Sequence, residues 1–265
     1  MYRISDAGRR KEKVNGASKL NCLKNYIDVF GRDGLIVFAD NCSEKTVDEI
    51  RSLGIEPHII SKGNSGSFRH SLIFAIEHFE ETDRVYMVED DYWHLPGSKE
   101  VLLEGLEISD YVALYDCPDK YINFREGSPN PYIKERSEVS NVYLTKTCHW
   151  KTTNASTMTF ACEVSVLKQD RHIFRKFTKH PIPNDFGIFL NLTGQPLLPL
   201  YRAGYRKLAL KSFFIRSKIR RLISPIPGYS THLDIDYLSP LTDWKMALNR
   251  VEENKIESKT KELTT

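Results

Sequence analysis

The sequence predicts an α/β fold, with a mostly parallel central sheet flanked by helices and a smaller antiparallel sheet beside it. Three observations predict it. Short apolar runs alternate with helical patterns through the first half of the chain, as they do in successive strand and helix units. One run, LIVFA at 35–39, is apolar throughout, as a strand covered on both faces must be. Each strand also closes on a polar cluster: Ser5-Asp6, Asp40-Asn41, Lys62-Gly63-Asn64 and Glu89-Asp90-Asp91. Open α/β sheets bind ligands outside the carboxyl ends of their strands, so these clusters predict one shared crevice.

Residues 2–6 (YRISD) read as a first strand, and 18–30 carry Leu20, Leu23, Tyr26, Ile27 and Phe30 on one helical face behind a Ser cap. The second strand is 35–39, followed by a capped helix at 43–53. Residues 55–60 give a third strand, 62–67 (KGNSGS) a Gly-rich turn, and 68–79 a helix. A fourth strand is RVYMV at 84–88, and another is 111–115. The segment 116–141, rich in Pro, Gly, Asn and charge, reads as a long loop of the kind that is usually functional or mobile. Residues 142–147 and 157–162 alternate as strands and are expected to pair antiparallel, ahead of helices at 163–177 and, behind Pro183, at 184–193. There follow a basic amphipathic stretch at 211–221 (KSFFIRSKIRR), a Pro/Gly-rich turn at 224–231 (SPIPGYST) and a polar end.

Composition narrows the partners. The 265 residues, 40% of them hydrophobic, can bury a substantial core, which excludes general disorder. Lys plus Arg (38) nearly balance Asp plus Glu (35), so no global charge points to nucleic acid. Five cysteines with no C-x-x-C pair and an odd total indicate neither a zinc module nor a disulfide framework. A reducing, cytoplasmic setting fits, and no window approaches the ~20 apolar residues of a membrane span.

Glu89-Asp90-Asp91 is the most informative feature. Adjacent carboxylates repel unless a cation or protons neutralise them. A hard divalent ion such as Mg²⁺ or Mn²⁺ does so with one or two carboxylates plus substrate phosphates. A solvated acidic turn is the alternative for the triplet alone, and its position after an apolar strand weighs against that alternative.

The ordered set of strand-end clusters, with a Lys-Gly-Asn-x-Gly turn between the second and fourth strands, resembles the nucleotide-binding half of GT-A glycosyltransferases, particularly the family 2-like group. The resemblance covers residues 2–91 in order and continues loosely to Trp244. It implies a Rossmann-like GT-A domain over 1–245, made of a nucleotide-binding half at 1–91 and an acceptor half at 92–245. Residues 246–265 are left as a polar, flexible tail. It further implies Asp91 as metal ligand, Glu89 and Asp90 beside the donor, Asp40 and Asn41 near the nucleobase, and Ser5 and Asp6 at base and ribose. Lys62, Gly63 and Arg69 would line the donor, Arg69 as a phosphate or base contact. The usual Pro-x-Tyr-Asn ending of the first strand is replaced by Ser5-Asp6-Ala7-Gly8 with a basic insertion at 9–13, which leaves a UDP- or GDP-linked donor open.

Inverting glycosyl transfer needs a carboxylate to take the acceptor's hydroxyl proton. The resemblance points to Asp185 for that role, and an ordinary helix cap at Asn184-Asp185 accounts for the same residues. His232, in PGYSTH at 227–232, matches the family's C-terminal metal ligand, with a plain loop histidine as the alternative. Trp93 and His94 suit either a sugar pocket or the core. Trp150, Thr152, Thr153 and Asn154 read as an acceptor-facing turn. In the basic stretch Lys211, Arg216, Lys218, Arg220 and Arg221 interleave with Phe213, Phe214, Ile215 and Ile219. That stretch suits a peripheral contact at the inner face of a membrane, a donor diphosphate, or a solvated helix face.

The expected activity is transfer of a sugar from a nucleotide-sugar to a hydroxyl of a glycan or polysaccharide acceptor. The alternatives are a nucleotidyltransferase making a nucleotide-sugar, for which 7–11 (AGRRK) is a faint phosphate loop, and a non-catalytic nucleotide-binding module.

Overall fold

The computed structural model describes residues 1–7, 12–121, 138–194 and 218–248. Alternating strands and helices build its first half: β1 (Tyr2–Ile4), α1 (Lys19–Phe30), β2 (Val37–Asp40), α2 (Glu44–Ser52), β3 (His58–Ile60), α3 (Gly63–His78) and β4 (Arg84–Glu89). The second half adds β5 (Tyr92–His94), α4 (Ser98–Leu106), β6 (Tyr111–Val112), β7 (Val142–Leu144), β8 (His149–Thr152), β9 (Phe160–Glu163), α5 (Val164–Phe177), α6 (Asp185–Thr193), β10 (Leu222–Ile226) and β11 (Ser230–His232).

One sheet runs in the order β3-β2-β1-β4-β9-β6-β10-β8-β7. Its first four strands are parallel, and only β9 and β8 run against the rest. The smaller antiparallel pair, β11-β5, stands beside it. This is the predicted class: a mostly parallel central sheet flanked by helices.

The strands are apolar because both faces are covered. Along β4, Val85 and Met87 join the cluster under α3, α5 and α6, whereas Tyr86 and Val88 join the cluster under α1 and α4. In β2, Phe38 packs on the first side and Val37 and Ala39 on the second. A period-two alternation is therefore present in space but silent in sequence, since each face demands an apolar residue.

Several predicted boundaries shift. The Gly-rich turn expected at 62–67 is the first turn of α3, which begins at Gly63. The strands expected at 142–147 and 157–162 do not pair with each other: β7 pairs β8, and β9 inserts between β4 and β6. The acceptor-facing turn expected at Trp150 is a buried strand, Trp150 itself lying against Gly105 of α4. The turn expected at 224–231 is instead β10 and β11 joined through a cis Ile226-Pro227 bond. Of the predicted tail, Leu248 is buried with Trp244 in a third cluster, and 249–265 lie outside the described residues.

The basic stretch is corrected in part. Residues 211–217 lie outside the described residues, and 218–221 are not helical. Arg220 is buried, with Nε 2.8 Å from Asp170 Oδ2 and Nη1 3.1 Å from Asp110 Oδ1, so it is not available to a membrane or a donor. Tyr111 also donates to Asp170 Oδ2, at 2.8 Å. Removing one partner of such a pair strands a buried charge. Arg220→Ala is expected to lose about 3–5 kcal/mol of stability in urea titration, and Arg220→Met combined with Asp170→Leu to recover most of it.

Candidate functional site

The parallel strands β1, β2 and β4 put their carboxyl ends on one edge, with β1 in the middle. Arg3 on β1 joins the neighbours: its Nη2 lies 2.9 Å from Asp40 Oδ2 and its Nε donates to Ser67 Oγ at 2.6 Å. One residue past the strand, the Ser5 amide donates to Asp90 Oδ2 at 2.8 Å. Asp40 and the acidic triplet are thus tied through β1 at the carboxyl edge of the sheet.

Asp40 has a different task from the one expected. Its Oδ1 accepts from the amides of Lys62 (2.8 Å) and Gly63 (3.1 Å) and from Asn41 Nδ2 (3.0 Å), while Oδ2 takes Arg3. The carboxylate caps α3 from the adjacent strand, where Lys62 provides no side-chain cap of its own. Burial opposes its charge, but the Lys62 amide and the Arg3 guanidinium hold its pKa below the usual carboxylate value. Lys62 and Gly63 therefore meet Asp40 through their backbone, and Asn41, in a left-handed conformation (φ 55°), accepts from Ser61 Oγ at 2.5 Å.

Asp6 is spent in the same way. It accepts from the Ser43 amide at 2.7 Å and from Thr46 Oγ1 at 2.9 Å, bracing the start of α2, whose N-cap is Ser43. Slight burial works against its charge, and the Ser43 and Thr46 bonds keep its pKa low. Arg69 is turned away from the crevice: it donates to the Thr178 carbonyl and lines a groove of about 640 Å³ between α3 and α5 with Arg171 and Arg175.

The acidic triplet divides by position. Asp90 is buried and lies 3.2 Å from Lys19 Nζ, and Lys19 also donates to the Ser5 carbonyl, so α1, β1 and β4 are tied together. Burial, then the charge of Asp91, pushes the Asp90 pKa up. Glu89 donates its amide to Thr159 Oγ1 at 3.1 Å and lines a small cavity with Arg3 and Asn64. Burial and the Asp91 charge raise its pKa to about 8. Its surroundings thus favour the neutral carboxyl over the charged one.

Asp91 carries the negative charge of the group. Its Oδ2 is 3.0 Å from His232 Nε2 and 3.4 Å from Lys13 Nζ. Burial disfavours its ionisation, but those two partners hold its pKa well below the usual range. Burial likewise disfavours the charged form of His232, and Asp91 raises its pKa in spite of that. The antiparallel pairing of β11 with β5, in register His232 with Tyr92, delivers the histidine to the triplet. Among the described residues no three His, Cys, Asp or Glu side chains form an all-protein metal cage. Asp91 and His232 are the side chains that would hold a divalent ion here, as an oxygen and a nitrogen donor.

Asp185 lies at the start of α6. The cap of α6 is made by Asn184, whose Oδ1 accepts from the Gly187 amide at 2.9 Å. Asp185 uses one oxygen, Oδ1, to accept from the Phe186 amide at 2.7 Å. A bond of 3.1 Å from the Ser65 amide to the Pro181 carbonyl fixes the preceding loop to α3. Burial raises the Asp185 pKa to about 6.

Trp93 and His94 belong to the core and not to a sugar pocket. His94 exchanges two backbone bonds with Asn25 (2.7 and 3.0 Å), and its Nε2 meets Tyr86 OH at 2.8 Å. Trp93 packs with Val14 and Trp244. Sequence reasoning missed Arg3, Lys13 and Lys19. The signal for Arg3 was a cation inside a strand otherwise fit for burial, which requires an anionic partner.

No protein-family model and no curated protein matches the chain. Among solved structures it is similar to a CMP:2-keto-3-deoxy-manno-octonic acid synthetase complexed with CTP, at 12% identity, 97% of each chain covered and a TM-score of 0.44. It is also similar to 4-diphosphocytidyl-2C-methyl-D-erythritol synthase from Anaerococcus prevotii, at 11% identity, 95% of each chain covered and a TM-score of 0.44. Both names belong with the nucleotidyltransferase alternative and neither with a glycosyltransferase, but at these scores the likeness carries no argument about chemistry.

The raised pKa of Asp185 fixes a sign. A carboxyl whose pKa rises from 3.8 to about 6 on folding favours the fold only while protonated, so ionisation above pH 6 costs stability. Asp185→Asn is expected to melt a few degrees higher than the parent at pH 7.5, and the gap to close as pH falls through 6 toward 4 in parallel thermal scans.

Proposed function

We propose that the chain is a nucleotide-dependent transferase acting at this crevice, and that its reaction is metal-dependent glycosyl transfer from a UDP- or GDP-linked sugar to a hydroxyl of a glycan or polysaccharide. The observation that carries the reading is the convergence of an ionised strand-end carboxylate, Asp91, and an imidazole, His232, at 3.0 Å; we assign the base to the buried carboxyl of Asp185. That arrangement supplies the two ends of a displacement: charge compensation for a leaving diphosphate and a base for the attacking hydroxyl.

A bound Mg²⁺ or Mn²⁺ supplies Lewis-acid stabilisation of the diphosphate's developing charge. Asp91 and His232 would hold that ion. Asp185, ionised at neutral pH by virtue of a pKa of about 6, takes the hydroxyl proton as the acceptor oxygen attacks the anomeric carbon. The carbon–oxygen bond to the diphosphate breaks and the electron pair leaves with it, inverting the centre. Glu89, its pKa raised by burial and by Asp91, adds little repulsion toward phosphate when neutral.

A second reading, nucleotidyl transfer, is favoured by Lys13 and Lys19, which put two ammonium groups after β1 beside Asp91 and Asp90, where such enzymes keep their basic phosphate loop. Among the described residues no helix is long and apolar enough to cross a membrane.

Thermal-shift screening of nucleotide-sugars with Mn²⁺ tests the first reading, since a specific donor at a hundred times its Kd stabilises by about 2.7 kcal/mol. Asp91→Ala should lose the metal-dependent shift while keeping its own fold, and an unchanged shift would remove Asp91 as ligand. Asp185→Asn should bind the donor normally and turn over at least ~100-fold more slowly. Pyrophosphate release from a nucleoside triphosphate and a sugar phosphate, without glycosyl transfer, would select the second reading.

A further inference from the structure

Lys13 has no part in the glycosyl-transfer steps given above, yet its position is closely fixed. Its backbone bridges antiparallel to Asp234; the Val14 amide donates to the Leu233 carbonyl at 3.2 Å, and the Ile235 amide to the Glu12 carbonyl at 3.2 Å. Val14 is buried beside Leu233 and Trp244. The segment is therefore clamped onto the strand end that carries His232. From that clamp the ammonium of Lys13 reaches the oxygen of Asp91 that His232 also touches.

Two positively polarised groups on one carboxylate oxygen compensate the triplet as it stands. They become a problem when a divalent ion binds there, because a dication on Asp91 Oδ2 would lie within about two bond lengths of an ammonium, and like charges at that range repel. The backbone of Lys13 is held, so only its flexible four-carbon stem can yield. The group that arrives with the metal is a diphosphate, which is anionic and bound to the same ion.

Resting on the reading of the site given above, we propose that Lys13 is a counter-ion that exchanges partners: it neutralises Asp91 in the empty site and moves to the diphosphate when metal and substrate bind. The protein thereby avoids an uncompensated carboxylate cluster between turnovers, and the same cation then stabilises leaving-group charge. No atom is transferred in the exchange.

Calorimetry with Mn²⁺ alone, and with inorganic pyrophosphate in the presence of Mn²⁺, tests this on the full chain, its Lys13→Ala variant and its Lys13→Arg variant. Lys13→Ala is expected to bind Mn²⁺ alone about three-fold or more tightly, because a competing charge is gone. It should bind pyrophosphate about ten-fold or more weakly, while Lys13→Arg keeps pyrophosphate affinity within about three-fold. A purely structural lysine would weaken both ligands together, and that result, or pyrophosphate affinity unchanged in Lys13→Ala, overturns the proposal while leaving the metal site intact. Failure of the unaltered chain to bind either probe would instead overturn the reading of the site itself, and the role of Lys13 with it.

Discussion

Three consecutive carboxylates at the end of a buried strand are the constraint around which this molecule is arranged. They cannot all be charged in partly desolvated surroundings without counter-ions, and the structure answers separately for each. Asp90 is buried against the Ser5 amide and Lys19. Glu89 favours its neutral form, its pKa raised to about 8 by burial and by its neighbour. Asp91 keeps its charge because His232 and Lys13 converge on it. The partners come from α1, the loop after β1, and β11, so the fold must close around the triplet to make it tolerable.

The same economy explains the other strand-end carboxylates. Asp40 accepts the amides at the start of α3, and Asp6 braces the start of α2, which Ser43 caps with its own side chain. A carboxylate accepting backbone N–H groups at a helix N-terminus is stabilised both by those bonds and by the helix dipole. These residues hold the walls of the crevice. Asp91 and Asp185 come from different parts of the chain, one just past β4 on the parallel half of the sheet and one at the start of α6.

That division accounts for how the candidate residues separated. The resemblance gave Arg69 a phosphate or base contact and Asp185 the role of base, each near a helix start. Arg69 falls on the face of α3 that packs toward α5 and satisfies the Thr178 carbonyl. Asp185 is spared by Asn184, which takes the cap and leaves the neighbouring carboxyl buried with a raised pKa of about 6. Trp93 and His94 follow the triplet directly, but the β5-β11 pairing and the bonds to Asn25 draw them into the core.

By itself the sequence determined the class of fold and the edge on which the site lies. Continuous apolar runs can only be strands covered on both faces, and polar clusters at their ends can only collect along the carboxyl edge of a parallel sheet. It also marked Glu89, Asp90 and Asp91 as a group, because adjacent like charges need a cation wherever they sit. What only tertiary structure decided was which polar side chains serve as caps and which face the crevice. Asp40 meets Lys62 and Gly63 across 22 and 23 positions, Lys13 meets Asp91 across 78, and β9 enters the sheet between β4 and β6 rather than beside its neighbour in sequence. Hydrogen bonds and ion pairs over such separations depend on strand order, and strand order leaves no periodic trace in the residues that make the contact.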